Sequence, residues 1–339
     1  MSLRGKATAS KASKMPKYYS SFAAGFEQLA HEFLAADLPL NDVQVLEGAL
    51  VYDTPAKPDV IREIKYFKNS FLVLGAADGF ESLERFAASV SENMPKIHAP
   101  WGARTFHTVQ MECNAPVSIP GDLKAKLIDG IKMRTRLRFC SGHGDVEFWL
   151  SLRKDGRGFF MQKLTKTINP MAGELEPHVA ATLCRASGMA ADDIFIDPFC
   201  GRGMIPLMRA RMSPYHGIFA SDINPDLIAA LRLKAKSIKN SKIQKSFFIK
   251  IGDFLENKFE SDFADAIVTD PPWGLHASIT PDFYPRIFAE FARILKPGGR
   301  LVLLSGRETE MPQSALSQIV QYDVLIHGRK ATVRIFTKQ

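Results

Sequence analysis

At 339 residues, with 46% apolar and 24% charged positions, the chain is long enough for two globular domains that each bury a core. No run approaches the roughly 18 consecutive apolar residues of a membrane-spanning helix, so no such helix is expected. Cys113, Cys140, Cys184 and Cys200 lie 27, 44 and 16 residues apart, with no Cys-x-x-Cys pair. That spacing argues against structural zinc and for reduced thiols inside a cell.

The formal net charge is +8, and five of its cations, Arg4, Lys6, Lys11, Lys14 and Lys17, fall in an acid-free start rich in Ser, Ala and Gly. Residues 1–20 are therefore expected to form a disordered basic tail. The composition also matches an organelle transit peptide, but no amphipathic apolar face accompanies it. With no secretory apolar stretch after the basic residues, the expected location is the cytoplasm.

Beyond the tail, helical and extended patterns alternate. Phe26-Leu29-Ala30-Phe33-Leu34 is spaced as a helix, and Val43-Val45-Leu50-Val51 reads as extended. Val60-Ile61-Ile64 is helical, Phe71–Leu74 is a short apolar strand, and Phe80-Leu83-Phe86-Val90 is helical again. This predicts a small α+β domain over 21–100. A second unit, over 101–168, has an alternating Phe106-Val109-Met111 and a helix on Leu123-Leu127-Ile131. Val146–Leu152 and Phe159–Leu164 flank Lys154-Asp155-Gly156-Arg157, a hairpin with an Asp-Gly turn. The pattern breaks near Thr165–Gly173, at Asn169-Pro170 and Gly173.

From residue 172 to 339 the rhythm becomes strand, turn, helix. Strands are predicted at Ile194–Phe199, Gly217–Asp222, Phe247–Gly252, Ala264–Asp270 and Arg300–Ser305, with Lys296-Pro-Gly-Gly as the turn before the last. Two closing strands, Tyr322–His327 and Ala331–Thr337, are three residues apart and must be antiparallel, because parallel neighbours need a long crossover. The expected fold class is α/β: a Rossmann-like sheet ending in an antiparallel hairpin, which separates class I methyltransferases from dehydrogenases.

Four motifs follow apolar runs and so sit at the carboxyl edge of that sheet, where ligands bind. Asp197-Pro-Phe-Cys-Gly-Arg-Gly203 places glycines at 201 and 203, where backbone can approach a ligand. The third glycine of a pyrophosphate loop is replaced by Pro206, and Asp197 opens the loop, so an amino-bearing ligand such as S-adenosylmethionine fits better than a dinucleotide. Asp222, 21 residues past Gly201, is placed for ribose hydroxyls, with Asn224 as a helix cap before Pro225. Asp253 is a candidate acceptor for the adenine amino group, the alternative being a plain turn acid.

Asp270-Pro271-Pro272-Trp273-Gly274 carries the chemistry. An exocyclic amine is a poor nucleophile because its lone pair is delocalised into the ring. The Asp270 carboxylate and the Pro271 carbonyl can hold its hydrogens, Pro271-Pro272 stiffens the loop, and Trp273 offers a stacking face. Catalysis would then be alignment plus stabilisation of charge developing on nitrogen. His178 and His276 are weaker candidates for substrate contact, since histidines in loops are commonly just solvated. Two basic runs, Lys132-Arg134-Arg136-Arg138 and Arg232-Lys234-Lys236-Lys239-Lys242-Lys245-Lys250, point with the tail to a polynucleotide backbone.

Ala172-Gly-Glu-Leu-Glu-Pro-His-Val-Ala180, with Asp197–Gly203 and Asp270–Gly274, resembles the THUMP-associated RNA methyltransferases. The resemblance is strong over 172–339; earlier it rests on Gly25-Phe26-Glu27 and Asp145-Val146-Glu147-Phe148. It implies a ferredoxin-like domain, a THUMP-like RNA-binding domain and a catalytic domain using S-adenosylmethionine. By position, the methionine loop falls on Asp197, Cys200, Gly201 and Gly203, the ribose acid on Asp222, the adenine contact on Asp253 with Phe254, and the catalytic loop on Asp270, Pro271, Pro272 and Trp273. Members commonly have Tyr at the position of Trp273. The implied activity is guanine-N2 methylation of tRNA or another structured RNA. Adenine-N6 methylation of DNA or RNA is a second reading; the messenger-RNA adenine methylases share Asp-Pro-Pro-Trp but place it before the glycine loop, whereas here it follows by about 70 residues. A non-catalytic RNA-binding protein is the third.

Overall fold

A computed structural model describes residues 15–166, 170–171, 173–236, 246–274, 279–307 and 309–339. Arg4, Lys6, Lys11, Lys14, Asn169, Ala172, Lys239, Lys242, Lys245 and His276 therefore lie outside the described residues.

The expected tail ends earlier than residue 20. Lys17–Ser21 form strand β1, in the middle of a sheet. Tyr18 and Tyr19 are β-formers whose rings are buried, and Ser20 meets the Tyr52 and Ser70 hydroxyls at 3.0 Å each. Composition read the basic residues; burial of the tyrosine pair decides the structure.

After β1 come α1 (Glu27–Asp37), β2 (Asn41–Leu46), β3 (Ala49–Asp53), α2 (Pro58–Arg62), β4 (Asn69–Ala77) and α3 (Leu83–Glu92). They are followed by β5 (Thr105–Glu112), β6 (Ala115–Pro116), α4 (Gly121–Thr135), β7 (Arg138–Phe139), β8 (Val146–Leu152) and β9 (Gly158–Lys163). The two expected N-terminal units share one sheet, ordered β2-β3-β1-β4-β9-β8-β5-β6 with β7 on β5. The join is the antiparallel β4–β9 pair, Phe71 opposite Lys163 to Ala77 opposite Gly158. The hairpin turns at Gly156, φ +78°, as the Asp-Gly signal requires.

The second half contains α5 (Pro177–Ala186), β10 (Ile194–Asp197), α6 (Met204–Met212), β11 (Gly217–Asp222), α7 (Pro225–Lys236), β12 (Phe247–Ile251), β13 (Ala264–Thr269), α8 (Phe283–Ile294), β14 (Leu295–Gly306), β15 (Leu316–Ile326) and β16 (Arg329–Lys338). Its sheet runs β12-β11-β10-β13-β14-β16-β15, parallel up to β14 and antiparallel at β16 and β15. The hairpin closes on His327 and Gly328, φ +49° and +76°, a two-residue turn of the handedness hairpins favour. Lys296-Pro-Gly-Gly is a bulge inside β14, because Leu295 already pairs with Ala264 before Arg300 pairs with Ala266.

The halves are joined through a common core. Phe26, just before α1, and Leu29 and Leu34 of α1 are buried in one cluster with Val179 and Leu183 of α5 and Val324 and Ile326 of β15. Where the chain passes from β1 to α1, the Leu325 N–H donates to the Ala24 carbonyl at 3.0 Å. Gly25 sits there at φ +99°, and a Cβ would overlap the Asp323 carbonyl oxygen. Gly25→Ala should therefore cost about 2 kcal/mol or more, read as a fall in the thermal midpoint. Gly121→Ala, where nothing lies within 4 Å, should stay within about 0.5 kcal/mol.

Candidate active site

The sheet reverses direction between β10 and β13: the chain first winds outward to β11 and β12, then returns to β13. Helices leave such a switch point on opposite sides and open a crevice at the carboxyl ends. Asp197 ends β10 inside it, fully buried. Its Oδ1 accepts from the Thr269 hydroxyl at 2.8 Å and the Phe199 N–H at 3.4 Å. Its Oδ2 is buried without a partner among the described residues. Burial pushes the Asp197 carboxyl up to about 8, and the nearby Asp270 and Asp222 push the same way.

One strand over, Asp222 fastens the glycine loop. Its Oδ2 accepts from the Gly201 N–H and its Oδ1 from the Asn224 N–H, both at 2.9 Å. Asn224 caps α7 by accepting from Asp226 N at 2.9 Å and Leu227 N at 3.4 Å. Gly252 N donates to the Asp222 carbonyl at 3.1 Å, so Asp253 stands beside it at the end of β12. The Asp253 carboxylate accepts from Leu255 N at 2.9 Å and caps a short 3₁₀ turn, Phe254–Glu256.

The two loop glycines have different reasons. Gly201, φ +51°, has nothing within 4 Å of a Cβ and faces open space. A Cβ on Gly203, φ +86°, would overlap Leu231 of α7, so helix packing forbids a side chain there. The expected ligand contacts Cys200 and Phe254 both have side chains packed against the protein. The Cys200 thiol is 7% exposed, packed with Leu207 and Leu231 and pushed up in pKa by burial. The Phe254 ring is 2% exposed between Phe199 and Phe291, with centroids 5.7 and 5.2 Å away.

The Asp-Pro-Pro-Trp loop leaves β13 beside Asp197. Asp270 is half-buried, and burial pushes its carboxyl up to about 7. The Trp273 indole N–H donates to Asp270 Oδ1 at 2.8 Å, which stabilises the ionised form and opposes that rise. Tyr284 of α8, 7% exposed, donates its hydroxyl to the Pro272 carbonyl at 3.2 Å. The Pro271 carbonyl is not the one Tyr284 occupies. Thr269 and Tyr284 were invisible as site residues: a β-branched residue in a strand and an aromatic in an apolar helix stripe look like core.

His178 is no solvated loop residue; it lies in the first turn of α5, 4% exposed, with Nε2 3.4 Å from Glu176 Oε2. Burial lowers its pKa to about 4, so it is neutral. Of the basic runs, Arg232 bonds the Ile249 carbonyl at 3.2 Å and Lys234 bonds Glu174. Lys132 is paired with Asp129 at 3.0 Å. A cavity of about 1880 Å³ between the halves, lined by Lys57, Lys68, Trp101, Lys163 and Arg211, was not predicted. Asp197, Asp222, Asp253 and Asp270 are not in its wall, so size alone does not locate the chemistry.

An open sheet of this order, with a reversed terminal hairpin and an acid-lined crevice, is the class I methyltransferase fold. The residues fit S-adenosylmethionine: an unpartnered buried carboxylate oxygen suits a cationic amino group, and the open side of Gly201 leaves room. Residues 166–322 match the family model described as UPF0020: RMKL-like, methyltransferase domain. The second half of the chain thus carries a methyltransferase domain.

Among curated relatives, a "Probable tRNA (guanine(10)-N2)-dimethyltransferase" of Methanothermococcus thermolithotrophicus is 29% identical over 153 residues, 44% of this chain and 90% of the relative. The tRNA (guanine(10)-N2)-dimethyltransferase of Methanothermobacter thermautotrophicus is 29% identical over 121 residues, covering 35% of this chain but only 33% of that protein. The tRNA (guanine(6)-N(2))-methyltransferase THUMP3 of Bos taurus is 31% identical over 148 residues, 39% of this chain and 28% of the relative. In fold, the crystal structure of TrmN from Thermus thermophilus matches 96% of this chain and 100% of its own, with TM-score 0.74 at 19% identity.

The carboxyl of Asp197 gives a test in solution. Raised from its ordinary 3.8 to about 8, it is protonated in the free protein at neutral pH. Folding then takes up a proton, so the free protein should lose stability as pH rises from about 4 to about 8. A cation bound against it favours the carboxylate. Cofactor binding should therefore release a proton near pH 7, measured by calorimetry in buffers of different ionisation enthalpy, and Asp197→Asn should abolish the release.

Proposed function

We propose that this protein is an RNA methyltransferase that moves a methyl group from S-adenosylmethionine to the exocyclic N2 of guanine in tRNA or another structured RNA, acting in the cytoplasm. The observation that carries the reading is the 2.8 Å bond from Thr269 to Asp197, which puts the catalytic loop and the glycine loop on one lip of the crevice. The names of the aligned relatives support both RNA and guanine N2. In this reading, residues 21–100 are a ferredoxin-like domain and 101–168 a THUMP-like domain. Together they hold the RNA while the target base is extruded toward Trp273.

Bound S-adenosylmethionine supplies the methyl group. The chain's own residues do the rest. The Asp270 carboxylate and the Pro271 carbonyl accept the two amine hydrogens, which turns the nitrogen lone pair toward the crevice. Trp273 holds one Asp270 oxygen through its indole N–H, so the carboxylate cannot rotate away from the amine. Tyr284 holds the Pro272 carbonyl and so fixes the diproline segment. As the nitrogen gains positive charge, the nearby carboxylate stabilises it and can take its surplus proton.

The identifying experiment is transfer of labelled methyl to total RNA, followed by digestion and mass spectrometry of nucleosides. N2-methylguanosine is expected; label on adenine N6 would replace the reading with its runner-up. Asp270→Ala should lower turnover by roughly 10²–10³ while the cofactor still binds. A variant with near-normal turnover would remove the role given to the loop.

Trp273 allows a sharper measurement. The reaction needs Asp270 ionised, so activity should rise with pH through about 7. Trp273→Phe keeps an aromatic face but removes the donor that stabilises the carboxylate. Its acidic limb should move to higher pH, with kcat at pH 7 falling more than at pH 9. A parallel drop at both pH values would mean that the indole matters only for stacking.

A further inference from the structure

The strand ends divide the crevice into two sides. Asp197, Asp222 and Asp253 follow β10, β11 and β12, all on one side of β13. Past Trp273, on the other side, are the end of β14 and the start of β16. A cavity of about 1010 Å³ opens there, with Trp273, Tyr284 and Met311 in its wall. Its described lining carries the cations Arg307, Arg329 and Lys330 against the single acid Glu310. An apolar wall with excess positive charge suits a flat, acceptor-rich ring that carries phosphate.

Arg307 lines this cavity together with Trp273 of the reacting loop. It follows Gly306, where a Cβ would lie 3.6 Å from Trp273 Cε3. Its guanidinium is 3.2 Å from Asp323 Oδ2, and Asp323 Oδ1 accepts from the Thr332 hydroxyl at 3.1 Å. One ion pair with a braced carboxylate orients the planar fork and leaves further N–H donors for a ligand.

We propose that this cavity receives the acceptor guanine and that Arg307, aimed by Asp323, donates to its O6 and N7. The inference rests on the guanine-N2 reading. With N2 at Asp270, the two acceptors O6 and N7 lie on the far edge of the ring system, toward the β14 side. They match the arginine fork in spacing and polarity. An adenine presenting N6 to Asp270 has only N3 on its far edge, with no oxygen beside it. Arg307 would therefore set base choice, whereas Asp270 and Pro271 bind either amine alike.

Free nucleotides test this without knowledge of the RNA. With S-adenosylhomocysteine present, GMP should bind the wild-type protein about 10-fold or more tightly than AMP or 7-deaza-GMP. Arg307→Ala should bind all three alike, with its thermal midpoint and S-adenosylhomocysteine affinity retained. Should that variant not fold, Arg307→Lys keeps the charge, loses the fork and should also lose the preference. Equal affinities in the wild type, no GMP binding at millimolar concentration, or a preference kept by the folded variants would each overturn the proposal. Methyl transfer is read separately: label on adenine, or on no RNA, overturns the guanine-N2 reading, whereas nucleotide discrimination without Arg307 overturns only this assignment.

Discussion

The structure is organised around a buried acid with no cation paired to it among the described residues. Asp197 is fully enclosed, and among the described residues the only side chain it bonds is a neutral hydroxyl, Thr269. An isolated carboxylate in such a place is costly and takes up a proton instead. The free protein therefore holds a carboxyl group ready to become a carboxylate when positive charge arrives. Asp222 and Asp270 on the flanking strand ends add to the same demand. Such a cluster destabilises the free fold and rewards a cationic ligand, a division expected of a binding site and not of a structural core.

Rigidity around that acid comes from backbone held by side chains. Asp222 holds the N–H of Gly201 and the N–H that begins the α7 cap, so one carboxylate couples the cofactor loop to a helix. Tyr284 does the equivalent for the diproline loop from α8. The N-terminal half is fixed to the same frame, because α1 is buried against α5 and β15. Asp323 links the two ends of this arrangement: its backbone meets Gly25 and its side chain meets Arg307.

The parts of this design that follow local chemistry could be read from the sequence. The strand ends carrying Asp197, Asp222, Asp253 and Asp270 were legible because each acid follows an apolar run. The closing hairpin was legible because three residues cannot cross over between parallel strands. What depends on packing was not. Gly203 reads as a ligand-facing glycine, but Leu231 explains it, and only the placement of α7 reveals that. Cys200 and Phe254 sit inside motifs, yet their side chains turn into the core. Strand β1 was hidden by five cations in a row of small residues, since charge dominates composition while two buried tyrosines decide the pairing. The single sheet across both N-terminal units depends on the β4–β9 pair, which joins segments some 90 residues apart and leaves no local signal.

The tryptophan of the catalytic loop shows how one substitution within a motif changes the physics. An aromatic ring at position 273 gives a stacking face whether it is a phenol or an indole. Only the indole carries its N–H on the ring near the backbone, within reach of a carboxylate three residues earlier, and here the bond is 2.8 Å. A phenol places its donor at the far tip of the ring, away from the loop. A loop with tryptophan can therefore bind its own acid, and one with tyrosine must leave that acid to other donors or to the substrate. The consequence is a carboxylate that is oriented before the amine arrives, with less freedom lost when it does. Preorganisation of this kind favours turnover over tight ground-state binding, because the bond to Asp270 is present in the free protein and need not be made again in the complex.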